Sequence, residues 1–314
     1  MISELKRISV VTGCFNEEEN IKEVYEQVKA VFDDLPQYEH EHIFIDNASK
    51  DRTAAILKEI AKQDRRVKII VNTRNFGHIR SPYHALMQAK GDAVISIVAD
   101  LQDPPIMIKE FIKKWEDGYK IIIGVKTQSE ESRLFFAIRK TYYNLVGRLS
   151  EVELIKSFTG FGLYDQKVIE TLRNIDDPYP YFRGLISDIG FERAVIEYVQ
   201  PSRKRGITKN NFYSLYDLAM LGITNHSKVP LRLATMTGFA VALLSLLVAL
   251  GYFFYKLIFW DNFSVGIAPL VIGLFFFSSV QLFFIGIIGE YIGAIHTQVL
   301  KRPLVIEKER INFD

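Results

Sequence analysis

Two long uncharged runs near the C-terminus constrain this chain more than any other feature. Leu233 to Tyr255 is 23 residues and Phe263 to Gly289 is 27, with no Asp, Glu, Lys or Arg in either. A helix needs about 20 apolar residues to cross the hydrocarbon core of a bilayer, so each run is long enough to span. Only Lys256–Asn262 lie between them, with Trp260 placed as an interfacial anchor. So short a connection predicts an antiparallel hairpin whose two ends emerge on one side. Lys228 and Arg232 flank the first end and Lys301 and Arg302 the second, whereas the turn carries only Lys256 and Asp261. Basic residues favour the cytoplasmic side, which predicts a cytoplasmic N-terminal part and C-terminal tail. Glu290, near the end of the second run, falls at the interface rather than mid-bilayer. A purely soluble protein with the hairpin as a buried core fits this pattern poorly.

The rest of the chain is balanced. Among 314 residues, 39 Lys and Arg against 37 Asp and Glu leave a net charge of +2, which argues against a nucleic-acid partner held by bulk charge. A hydrophobic share of 48% supports a sizeable packed core. Cys14 is the single cysteine; it excludes an internal disulfide and fits a reducing compartment. The N-terminus has no apolar signal-type stretch before a strand-like run begins. Short apolar runs at Ile8–Val11, His42–Ile45, Val67–Val71, Ala93–Val98 and Ile121–Val125 alternate with helix-period segments at Glu18–Leu35, Thr53–Ala61, Ser81–Ala89 and Pro105–Trp115. That alternation predicts βαβ units and a largely parallel sheet. Such sheets bind ligands beyond the carboxyl ends of their strands. Asn16-Glu17-Glu18, Asp46-Asn47 and Asp100-Leu101-Gln102-Asp103 stand there. Neither Gly-x-Gly-x-x-Gly after the first run nor a Walker A motif occurs, which disfavours a dinucleotide dehydrogenase or a P-loop NTPase.

Asp100 and Asp103, with the amide of Gln102 between them, suit a hard cation such as Mg²⁺, and also suit capping of the helix that follows. Ser49 and Asp51 are natural helix caps. Asp46, ending an apolar strand, is not explained by capping and can accept from a nucleobase N–H. Arg203, Arg205 and Lys209, around Gly206, form a basic loop able to close over phosphates or to attract anionic lipid. The segment 131–149 mixes aromatic and basic residues, as interfacial helices do and as core helices with a solvated basic face also do; 211–224, with Phe212, Tyr213, Leu215 and Tyr216 just before the first span, is placed for a similar interfacial role.

Taken in order, VVTGCFNEEENI, IFIDNASKDRT, NTRNFGH, GDAVISIVADLQDPP, YFRGLISDIGF, SRKRGITKNNFYSLYDLAMLGI and KVPLR before a two-span hairpin resemble the polyprenyl-phosphate glycosyltransferases of glycosyltransferase family 2. The resemblance covers nearly the whole chain. It implies a GT-A (Rossmann-like, mainly parallel) α/β domain, a UDP-sugar donor, Mg²⁺ or Mn²⁺, a polyprenyl-phosphate acceptor and a homo-oligomer. By that likeness Phe15, Glu17 and Asp46 hold the nucleotide, Asp100 and Gln102 the metal, and Arg203, Arg205 and Lys209 the donor phosphates. Asp100 and Arg205 carry catalysis, and Lys126 and Arg139 grip the acceptor phosphate. The chain departs from the family pattern where Asn47 replaces a frequent Asp and Val98 the first acid of Asp-x-Asp. It also departs at Gly13, at Phe15, and at Thr159-Gly160-Phe161-Gly162-Leu163, which replaces a frequent Gly-Asp-Phe-Arg-Leu.

These features predict a catalytic domain over 1–210, a juxtamembrane helix over 211–232, spans near 233–258 and 264–289 within 233–292, and a cytoplasmic tail over 293–314. The expected reaction is inverting transfer of a sugar, glucose foremost, from UDP to a polyprenyl phosphate. Two alternatives are a processive polysaccharide synthase, which calls for a Gln-x-x-Arg-Trp motif and further spans that are missing, and a membrane-tethered nucleotide-sugar sensor without turnover.

Overall fold

The computed structural model describes residues 5–128, 155, 158–201, 220–224, 227–259 and 267–313. The expectations placed on Arg139, Arg203, Arg205, Lys209, Trp260, the segment 131–149 and most of 211–224 lie outside those residues. Within them, the five apolar runs form strands β1 (Lys6–Cys14), β2 (Tyr38–Asp46), β3 (Val67–Asn72), β4 (Ala93–Val98) and β5 (Ile121–Gln128). Between them run α1 (Ile21–Asp33), α2 (Thr53–Gln63), α3 (Gly77–Gln88) and α4 (Ile108–Glu116). Then follow β6 (Phe158–Asp165), α5 (Gln166–Ile175), α6 (Phe182–Asp188) and β7 (Arg193–Val199).

The strands join one sheet in the order β7-β5-β6-β4-β1-β2-β3, and an eighth strand, β8 (Glu307–Ile311), adds to the β3 edge. β1 pairs in parallel with β2 and β4, β2 with β3, and β5 with β7, whereas β6 and β8 run antiparallel to their neighbours. Six of the eight strands therefore point the same way, and the expected mainly parallel sheet is present. Helices cover both faces, so the inner strands are apolar on both sides. Ile8, Val10, Ile43, Phe44, Ile45, Ile69 and Ile95 are fully buried, each stabilising the fold by roughly 1.5–3 kcal/mol.

The glycine-rich stretch in β6 has a geometric cause. A Cβ on Gly162 would stand 2.3 Å from the Ile122 carbonyl oxygen across the β5–β6 ladder, and Gly160 has a φ of +104°. The Asp and Arg common at these two positions in the family do not fit this backbone.

Two long helices follow the domain, α7 (Val229–Ile258) and α8 (Ile267–Leu300). Their spans reach mean hydropathy values of 2.2 and 2.1 and bury nothing inside the chain. Phe239, Leu244, Phe253, Leu270, Phe275 and Phe283 are all more than half exposed, a surface a soluble monomer does not present to water. The second helix continues to Leu300, past the expected limit near 289. The tail beyond it is built into the sheet as β8. Glu307 accepts from Nε2 of His84 at 2.6 Å, and Asn312 donates to the carbonyls of Ala61 and Val67. Within α8 itself, Gln298 donates to Asp177 at 2.8 Å and Tyr291 to the Ser227 carbonyl, just before α7, at 2.6 Å. α8 and the strand after it are thereby tied to the sheet domain through Gln298, Glu307 and Asn312.

Candidate active site

At the carboxyl end of the sheet, the loops after β1 and β2 are laced to each other. The Asn16 N–H donates to Oγ of Ser49, and Lys50 N–H donates to Oδ1 of Asn16. Glu17 N–H donates to Oγ1 of Thr53, Glu18 N–H to Asp51, and Arg52 N–H back to the Glu18 carboxylate. Asn16 and Ala48 both sit at positive φ, 54° and 61°, a conformation that Asn tolerates and Ala seldom adopts; the lacing holds them there. Asp51 also accepts from Thr53 N–H at 3.0 Å, but the cap position of α2 belongs to Arg52, which makes no side-chain capping bond, and Ser49 serves Asn16 instead.

Asp46, the last residue of β2, lies at the base of this cleft and is 1% exposed. Its Oδ2 accepts from Ser49 N–H at 3.1 Å, while Oδ1 is buried with no partner. Burial, opposed by the bonds from Ser49, raises its pKa. An orphaned carboxylate oxygen has an unmet demand for a donor. Phe15 and Glu17 are half-buried on the adjoining loop. The Glu17 carboxylate accepts from Asn20 Nδ2 at 2.8 Å, and its carbonyl receives the Ile21 N–H that opens α1. Burial first, then Asp46, Glu17 and Asp51, pushes the Cys14 thiol far up, so this cysteine is inert.

After β4 the chain makes a tight turn in which Leu101 is buried at a φ of 60°. Asp100 is half-buried there, and its Oδ1 accepts from Gln102 N–H at 3.1 Å. The spacing offers Asp100 and Asp103 as two carboxylates for one cation; the structure separates them. Asp103 points into the protein, 2% exposed, where Oδ1 accepts from the Tyr198 hydroxyl at 2.9 Å and Oδ2 from Val98 N–H at 3.3 Å. Burial raises its pKa to about 6. Asp103 shapes the turn, and Asp100 and Gln102 remain its half-buried polar residues. Among the described residues no three His, Cys, Asp or Glu side chains converge on a cation site. Lys126, near the end of β5, donates to Gln200 at 2.8 Å and lies close enough to Asp103 to lower its pKa.

Asn47 turns out to be a structural hub. Its Nδ2 donates to Asn75 Oδ1 and to the Gly77 carbonyl, and its Oδ1 accepts from Asn72 Nδ2 and Phe76 N–H. Asn75 Oδ1 in turn accepts from Gly77 N–H at 2.7 Å, which starts α3 four residues before the expected Ser81. An aspartate at 47 would set a carboxylate against two acceptors, so the departure from the family pattern follows from this local network. The motif NTRNFGH carried the signal in its two asparagines, Asn72 and Asn75.

Comparison with known proteins decides the family. The profile described as glycosyl transferase family 2 matches residues 9–185. The chain belongs to glycosyl transferase family 2. Over 308 residues it is 36% identical to an uncharacterized glycosyltransferase, YkcC, of Bacillus subtilis, covering 98% of this chain and 94% of that one. It is 36% identical over 304 residues to an SfII prophage-derived bactoprenol glucosyl transferase of Shigella flexneri, covering 96% of this chain and 98% of that one. It is 34% identical over 303 residues to a prophage bactoprenol glucosyl transferase homolog of Escherichia coli, covering 96% and 98%. This family 2 chain is a glycosyltransferase, and its cleft is the place to seek the donor.

Proposed function

We propose that the chain transfers a sugar, glucose foremost, from UDP to a polyprenyl phosphate at the cytoplasmic face of a membrane, for envelope glycan modification. The observation that carries this reading is the placement of Glu17, Asp46, Asp100 and Lys126 at the carboxyl ends of strands in one family 2 sheet that is tied to two membrane-length helices. The full-length relatives named for bactoprenol glucosyl transfer support it. In this reading Phe15 packs on the base, and Asp46 Oδ1 takes the base N–H it now lacks.

The donor set also bears on the metal. One carboxylate and one amide oxygen, Asp100 and Gln102, suit Mg²⁺ or Mn²⁺ if the remaining ligands are waters and donor phosphates. When bound, such a cation neutralises charge on the departing diphosphate. Arg203, Arg205 and Lys209 close on the same phosphates by family likeness, and Lys126 with Arg139 holds the acceptor phosphate. An acceptor phosphate oxygen attacks the anomeric carbon from the face opposite UDP. The new C–O bond forms as the bond to the UDP oxygen breaks, and the electron pair leaves with UDP, inverting the centre. A phosphate monoester has a second pKa near 6, so the nucleophile is mostly ionised at neutral pH and no protein base is required. Catalysis then rests on positioning and on electrostatic stabilisation of UDP.

A donor panel tests the reading. Purified full-length protein, given each of several radiolabelled UDP- and GDP-sugars with a polyprenyl phosphate, should label lipid from UDP-glucose best. Labelling from no UDP-sugar, with UDP still bound, would favour the sensor alternative.

A further inference from the structure

Three arginines meet where α8 hands over to the catalytic domain. The guanidinium carbons of Arg74 and Arg80 stand 4.0 and 5.5 Å from the centroid of one ring, Phe76. Arg80, in the first turn of α3, also donates from Nη2 to the Pro303 carbonyl, which fixes it beside Arg302. Its Nε is buried with no partner. Arg74 and Arg302 are exposed. Among the described residues, none of the three forms an ion pair with a carboxylate.

Like charges gathered without a counter-charge are held there at a cost. Burial, and then repulsion from Arg74 and Arg302, draws the pKa of Arg80 down. The acids lining the adjoining cavity are Asp176 and Asp177, and Asp177 is already engaged by Gln298 and by the Tyr179 N–H. The height of the cluster is set by the chain: Arg302 is two residues past Leu300, the end of a membrane-length helix. The apolar span of α8, Ile272–Leu300, has 29 residues and is about 43 Å long at 1.5 Å per residue, the thickness of a bilayer with its headgroups, so Arg302 stands at the headgroup edge and Glu290 lies deeper than the interface at which the sequence placed it. Tyr179, close enough to act on Arg80, also lines a cavity of about 520 Å³ against Met220, Leu221, Gly286 and Gly289.

We propose that Arg74, Arg80 and Arg302 form a binding site for the phosphate of a membrane lipid, whose apolar chain leaves along the cavity beside α8. The proposal rests on α7 and α8 lying in a bilayer and not on the transfer reaction. Guanidinium groups grip phosphate bidentately. The Phe76 ring holds two of them in place before the ligand arrives. Arg74 and Arg302 present the accessible donors, and Arg80 supplies field from behind. Either an anionic phospholipid of the leaflet or a lipid-phosphate acceptor brings the same group to this level.

The test uses the full-length protein in detergent with Arg74→Gln, Arg302→Gln and the charge-retaining Arg74→Lys. Native mass spectrometry reads retention of phosphatidylglycerol against phosphatidylcholine. Wild type should keep phosphatidylglycerol selectively, each Gln variant should weaken that retention about fivefold, and Arg74→Lys should restore most of it. Turnover in neutral nanodiscs then separates the two sources. A raised KM for the lipid-phosphate acceptor in the Gln variants assigns the site to the acceptor. An unchanged KM, with loss of a phosphatidylglycerol response seen in wild type, assigns it to the leaflet. Gln variants that retain phosphatidylglycerol as wild type does, with unchanged acceptor KM, would overturn the proposal. If wild type transfers no sugar at all, the functional reading fails while the retention measurement still decides the site.

Discussion

The Tyr198 hydroxyl donates to Oδ1 of Asp103 across 2.9 Å, and that bond ties the end of β7 to the turn presenting Asp100. Asp103 is 2% exposed, so its oxygens depend on protein donors. Tyr198→Phe removes one of them and leaves a buried acceptor unmet, a loss of about 1–3 kcal/mol. The denaturation midpoint should fall and the KM for the donor should rise, because the Asp100 turn loosens. An unchanged midpoint and an unchanged KM would show that the turn holds itself.

Asn47 gives a second prediction. Asn47→Asp removes two donated bonds and faces a carboxylate toward Asn75 Oδ1 and the Gly77 carbonyl. A loss of roughly 1–3 kcal/mol or more is expected. The effect should show in thermal unfolding, and it should exceed that of Asn47→Ser. A neutral Asn47→Asp would mean that the network around Asn75 re-forms around an acid.

Acid should weaken the fold through His42. This ring is 2% exposed, stacks on Phe44 at 3.9 Å and bonds Thr12 at 2.9 Å. Burial lowers its pKa from 6.5 to about 3. The unfolded chain thus binds a proton that the folded chain refuses between those values. Stability is fully present well above pH 6.5 and falls as pH drops toward 3, by roughly 1–2 kcal/mol between pH 6.5 and pH 5. Urea unfolding at the two pH values measures it. His42→Gln should flatten the difference, and an equally steep loss in that variant would place the acid sensitivity elsewhere.

The C-terminal strand predicts that a catalytically remote truncation is harmful. Removing residues 305–314 uncovers the β3 edge, exposes the pocket of Val305, and deletes the Lys58–Glu309 and His84–Glu307 pairs. An open edge invites pairing with other chains. The truncated protein should melt earlier and aggregate, as size-exclusion chromatography would show. Asn312→Ala, losing two bonds to carbonyls, should cost a smaller amount, about 1–2 kcal/mol.

What the sequence made legible follows from burial. β1 to β5 lie between helices, so their apolar runs stand out, and each expected run falls within its strand. The same holds for the first long helix, where the run Leu233–Tyr255 falls within α7; the second run overlaps α8, which carries on to Leu300 and exposes Gln281, His296 and Gln298 among its apolar residues. β8 was not legible: Glu307-Lys308-Glu309-Arg310 has no apolar alternation, because an edge strand of this kind is held by its main chain and by ion pairs. Asp100 and Asp103 looked alike as two acids on one turn. Only packing against Tyr198 separates them, since Asp103 lies beneath a strand nearly a hundred residues away. The Asn47 hub was hidden for a similar reason, being built from three segments that meet only in the folded chain.

The central claim, that the Asp100 cleft moves a sugar from UDP onto a lipid phosphate, is tested most directly by the product itself. Purified wild type and Asp100→Asn would each be incubated with UDP-[¹⁴C]glucose, a polyprenyl phosphate and Mg²⁺ or Mn²⁺, and the lipid extract resolved by thin-layer chromatography and mass spectrometry. The account predicts a labelled polyprenyl-phosphate hexose from wild type. It should be abolished by EDTA and restored by the metal, and reduced about a hundredfold or more in a folded Asp100→Asn. A folded Asp100→Asn that makes the same product at the wild-type rate in EDTA would contradict it.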